Sequence, residues 1–100
     1  MIRGTTPTHT FRLSIETGSI IEVRITYVQL GKTVIEKTEK DVRMGEKSIS
    51  LTLTQEESLE FRAGSEVEVQ LKVLTNVGTV LASPVISLNV DKILNTEVLE

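Results

Sequence analysis

IIEVRITYVQLGKTVIEKT, residues 20–38, decides the fold. Ile21, Val23, Ile25 and Tyr27 alternate with Glu22, Arg24 and Thr26. A period of two puts the apolar set on one face of a strand and the polar set on the other. Gly31-Lys32 then stands between Leu30 and Thr33. Glycine at the first central position suits a two-residue type II′ hairpin turn. The run from about Thr33 to Thr38 returns as a further strand.

The same alternation extends outward on both sides. Upstream, His9, Phe11, Leu13 and Ile15 share one face, and Thr8, Thr10, Arg12 and Ser14 the other. Glu16-Thr17-Gly18-Ser19 is a turn cluster, so this strand and the one from Ile21 are expected to form a hairpin. Downstream, residues 39–47 are polar, with Val42 and Met44 hinting at a short irregular strand. Ile49, Leu51 and Leu53 alternate cleanly with Ser and Thr. Thr54-Gln55-Glu56-Glu57 has the form of a capping box and predicts one helical turn. Leu59 and Phe61 point inward before a turn at Ala63-Gly64. Val67, Val69, Leu71 and Val73 give another strand, followed by the turn Asn76–Thr79. The last strand, Val80 to Val90, is interrupted at Pro84, which has no amide for the ladder and belongs at an edge or bulge. Residues 91–100 read as a short helix from Asp91 or a tail.

Turns recur every 8–12 residues or so, the spacing of a sandwich or small barrel. The expected fold is all-β, an immunoglobulin-like β-sandwich of six to seven antiparallel strands. An extended N-terminal arm (1–7) precedes the sandwich (8–90), and the tail or short helix (91–100) follows it. Composition agrees. Val, Ile and Thr number 12, 9 and 13 of 100 residues, while Ala occurs twice. Branched β-carbons suit a pleated surface and restrict χ1 in helices.

Several function classes fall away. Cysteine is absent, which removes disulfides and thiolate metal sites. The net charge of −3 argues against nonspecific binding of nucleic acid. Phe11, Tyr27 and Phe61 fall on inward phases, so no aromatic platform is expected for bases or sugars. No apolar run is long enough to span a membrane. MIRGTTPTHT lacks the apolar stretch of a secretory signal, so synthesis in the cytoplasm is expected. His9, the single histidine, has no carboxylate near it in sequence to orient it as a base. Glu56, Glu57 and Glu60 are better placed to favour a helix N-terminus than to act as a catalytic pair. Around residues 36–46 the carboxylates are diluted by lysine and arginine, unlike a calcium loop. The chain is expected to be no enzyme and to need no cofactor.

What remains is a surface. With the turn at Gly31-Lys32, Leu30 faces Thr33, Val28 faces Ile35 and Tyr27 faces Glu36. Val28, Leu30 and Ile35 then lie together on the outer face, with Ile20 further along it. An apolar outer patch marks a contact. Three arrangements stay open: the C-terminal Ile93, Leu94, Val98 and Leu99 cover it; another subunit covers it; or a bulge shifts the register and exchanges the faces. Charge is uneven too, eight basic against six acidic residues in 1–50, and three against eight in 51–100.

MIRGTTPTHTF, VRITYVQLGKTVIEK, LTLTQEESLEF, VEVQLKVLTNVGTVLAS and ILNTEVLE, taken in order, resemble a family of proteins of similar length in bacteriophage and prophage genomes of Firmicutes. The resemblance spans nearly the whole chain and implies a structural, virion-associated component without a catalytic motif. Its expected partners are other protein subunits, copies of itself or phage structural proteins; it is expected to be made in the bacterial cytoplasm and located in the virion. The alternative from another class is a ligand-binding or adhesive β-sandwich module for host or carbohydrate recognition.

Overall fold

The computed structural model describes residues 1–100 and is built almost wholly of strands. They are β1 (Thr8–Arg12), β2 (Ile20–Gln29), β3 (Lys32–Thr38), β4 (Arg43–Met44), β5 (Ser48–Thr52), β6 (Val67–Thr75), β7 (Val80–Ala82) and β8 (Ile86–Leu88). A single helical turn, α1 (Gln55–Leu59), sits between β5 and β6. Two antiparallel sheets result. The smaller has the order β1-β5-β4; the larger runs β3-β2-β6, with both β7 and β8 on the far edge of β6.

Fifteen buried apolar residues form the core. β2 contributes Val23, Ile25 and Tyr27, and β6 contributes Val67, Val69, Leu71 and Val73. Facing them are Phe11 from β1 and Ile49 and Leu51 from β5, with Leu53 and Phe61 closing one end. Each fully buried side chain of this size contributes about 1.5–3 kcal/mol. α1 begins as its sequence dictates. The Thr54 hydroxyl accepts from the Glu57 amide at 3.1 Å, and the Glu57 carboxylate accepts from the Thr54 amide at 2.9 Å. Glu57 also pairs with Lys37 of β3. Partial burial opposes ionisation of Glu57, but the Lys37 ammonium and the Thr54 amide outweigh it and hold the carboxyl below its ordinary range.

Three expectations are corrected, and two open readings are decided. First, β1 does not pair with β2. It pairs with β5, Thr8 opposite Thr52 and Arg12 opposite Ser48. Alternation says which face a strand buries, not which strand lies beside it; β1 and β2 bury their faces against each other from opposite sheets. Second, the β2–β3 turn is centred on Leu30-Gly31, since Gln29 pairs with Lys32. Both central residues have positive φ, 52° and 76°, the mark of a type I′ turn. Third, there are eight strands, not six or seven. The interruption at Pro84 does lie on a sheet edge: β7 and β8 flank Ser83-Pro84 and both pair with β6. Of the two readings of residues 91–100, the tail holds and the helix does not: Ile2 and Asp91 make a parallel bridge, and the Asp91 amide donates to the Met1 carbonyl at 2.7 Å.

The N-terminal arm is stapled to this end of the molecule. Arg3 donates through Nε to the Phe61 carbonyl at 2.6 Å and through Nη2 to the Leu59 carbonyl at 2.9 Å. These carbonyls end the helical turn, where a cation is favourably placed. Ser58 Oγ donates to the Thr5 carbonyl at 2.7 Å.

Candidate functional site

The expected outer patch is dismantled by a bulge. Tyr27 pairs with Ile35 and Val28 with Thr33, leaving Val34 without a partner. One extra residue exchanges the faces beyond it, so Ile35 turns inward and is buried. A second irregularity between Ile20 and Glu22 does the same at the start of β2. Ile20 is buried there and Ile21 is exposed, the reverse of the alternation read from Ile21 onward. Val28 stays on the outer face, half-buried, in a shallow depression with Val85 of the β7–β8 connection. Leu30 is exposed at the turn. The tail does not cover this region. Its ordered bonds go to the arm and to α1, where Gln55 donates to the Leu99 carbonyl at 2.8 Å and accepts from the Leu99 amide at 2.9 Å. Ile93 and Val98 are half-buried, while Leu94 is 94% and Leu99 70% exposed.

Exposed apolar surface gathers elsewhere, where the two sheets fail to close. β1 is the edge of the smaller sheet, and β7 and β8 together edge the larger. Between them lies a hollow of about 380 Å³, floored by Phe11, Leu71 and Val73 and walled by Leu81 and Ile86. A second hollow of about 240 Å³ continues it past His9 to Val69 and Leu88. Leu81 and Ile86 point toward the interior phase of their strands, opposite Val73 and Val69. They nevertheless remain 40% and 45% exposed, because β1 does not reach over them. Arg12 is the one fully charged side chain lining the groove.

Phe11, Tyr27 and Phe61 are all interior, and Tyr27 links Phe61 to the half-buried His9. His9 Nδ1 and the Tyr27 hydroxyl are hydrogen-bonded at 2.7 Å. The Tyr27 ring lies 5.6 Å from His9 and 5.8 Å from Phe61, tilted to both. Burial lowers the histidine pKa, with the N-terminal ammonium adding to it, and raises that of the tyrosine. The aspartates serve elsewhere: Asp41 accepts from the Thr38 amide at 2.9 Å, and Asp91 bridges the arm through its backbone. The Thr38 bond holds the Asp41 carboxyl below its ordinary value, against the small cost of desolvation. No group of three His, Asp or Glu is placed to hold a metal, and no helix is long and apolar enough to cross a membrane.

On the outer face Arg24 reaches Glu39 at 3.1 Å and lies 3.9 Å from Glu22 and Glu36. Such exposed pairs contribute about 0–1 kcal/mol each. Two features escaped the sequence reading. The buried Gln29 is one, and its signal was a polar residue continuing the inward phase of Val23, Ile25 and Tyr27. The groove is the other and left no such signal, since it depends on which strands become edges. The chain matches no protein-family model, no curated protein and no solved structure.

Proposed function

We propose that this chain is a non-enzymatic assembly module that binds other protein subunits, with a bacteriophage particle as the setting implied by its sequence resemblance. The sandwich is read as immunoglobulin-like because two antiparallel sheets face each other and the chain crosses between them at β1–β2. The observation that carries the function is the open groove between β1 and the β7–β8 edge. Leu81 and Ile86 sit there partly in water although their strand phase is interior. Apolar side chains rimmed by polar ones in this way mark a protein contact.

The test is light scattering of the purified protein over a wide concentration range, beside Leu81→Asp and Ile86→Asp. Mass should rise with concentration in the parent and stay monomeric in both variants, with the β circular-dichroism spectrum unchanged. Variants that associate as the parent does would remove the groove from consideration.

A further inference from the structure

We infer that the groove receives the C-terminal segment of a second copy of the chain, residues 94–98, as an added strand on β1. The inference rests on the assembly reading above and names its partner.

The four sheet edges are not equivalent. β3 carries the Val34 bulge and Lys32 and Lys37. β4 is two residues long, and the β7–β8 edge is split at Ser83-Pro84. Bulges, lysines, prolines and shortness are the devices that protect an edge from pairing. β1, THTFR, has an unbroken run with none of them inside it. The Leu13 amide donates to Lys47 at 2.8 Å, and the Pro7 carbonyl accepts from Leu53 at 3.0 Å, so odd-numbered residues look toward β5. By alternation Thr8, Thr10 and Arg12 turn their amides and carbonyls out along the groove.

The tail has the complementary deficit. Residues 92–98 make no backbone–backbone hydrogen bond, and the Glu97 amide reaches only Asn95 Oδ1. Leu94 is almost wholly in water. Extended against β1 in the antiparallel sense, Leu94, Thr96 and Val98 lie over Leu13, Phe11 and His9. Asn95 and Glu97 then face outward, and Glu97 reaches Arg12 diagonally across the pair. Charge agrees: Arg12 stands at the rim of the groove and no carboxylate lines it, whereas the segment brings Glu97. Strand addition of this kind takes affinity from the backbone and selectivity from alternate side chains. The contact joins two different surfaces, so it is heterologous and propagates from copy to copy.

The experiment uses full-length Leu94→Asp and Ile86→Asp, alone and mixed, read by sedimentation and circular dichroism. Leu94 is too exposed for its replacement to disturb the fold, and Leu81→Asp replaces Ile86→Asp should the latter unfold. Each variant alone should associate about tenfold or more weakly than the parent. Their mixture should form a one-to-one dimer, since the intact tail of one meets the intact groove of the other. Loss in the groove variant with full association of Leu94→Asp would overturn the tail as occupant and leave the assembly reading standing. Full association of both would overturn both. A mixture that yields no dimer, or a parent that is monomeric throughout, would also overturn the tail.

Discussion

Replacing Gln29 by leucine tests how the end of β2 holds the loop after α1. Gln29 is buried on an inward phase. Its Nε2 donates to the Arg62 carbonyl at 2.8 Å and the Ser65 carbonyl at 3.2 Å, and its Oε1 accepts from the Arg62 amide at 2.7 Å. One side-chain amide thus satisfies three backbone groups. Leucine fills the space and leaves all three unpaired. An orphaned buried group costs about 1–3 kcal/mol. Arg62 is exposed and Ser65 half-buried, so water recovers part of this, and the leucine offsets roughly 1 kcal/mol by its own burial. A net loss of about 2–3 kcal/mol is expected. At ~4–8 °C per kcal/mol for a domain of this size, Tm should fall by ~8–24 °C. Gln29→Glu gives an independent sign. Its carboxylate would face two carbonyls, so the buried acid should have a raised pKa. The variant should therefore be most stable below pH ~4.3, the unfolded glutamate value, and weaken as pH rises. Thermal and urea unfolding followed by circular dichroism would measure both. A Gln29→Leu protein within ~0.5 kcal/mol of the parent would show that the loop does not depend on this amide.

Leu30→Asn should raise Tm, because Leu30 adopts φ 52° at 64% exposure and Asn-Gly is the favoured pair for a type I′ turn; a gain of about 0.5–1 kcal/mol is expected in thermal melts. The lowered pKa of His9 means that the unfolded chain takes up its proton first on acidification. Stability should be full above pH 6.5 and decline below it. His9→Gln should flatten that slope between pH 6.5 and about 5, above the carboxylate range. Arg3→Met removes two hydrogen bonds to the carbonyls ending α1 and should cost about 1–2 kcal/mol. It should also speed hydrogen exchange at the Asp91 amide, which donates to Met1 beside it. Arg3→Lys should recover only part, lacking the fork.

Local chemistry was readable where it was decided locally. The capping box at Thr54–Glu57 and the alternation through Ile49–Leu53 and Val67–Val73 appear in the structure as written, because cap and pleat depend on neighbours a few residues away. Ile20 and Ile35 were misplaced for a different reason. One unpaired residue in each case, Val34 for Ile35 and Ile21 for Ile20, costs little locally yet exchanges the faces, and no residue type announces it. The turn slipped because Leu30 occupies a left-handed position that leucine disfavours; burying Tyr27 opposite Ile35 outweighs that strain. The groove was beyond reading altogether, since it is a property of which strands end up unpaired.

Thr8 and its partner Thr52 are 44 residues apart. At a synthesis rate of roughly 5–20 residues per second, β1 leaves the ribosome about 2–9 s before its neighbour exists. Throughout that wait both of its margins are bare, and a sister chain growing on the same message is the nearest competitor for them. Refolding of the finished polypeptide, governed by the same distant pairing, belongs to the slow, millisecond-to-second class of topologies.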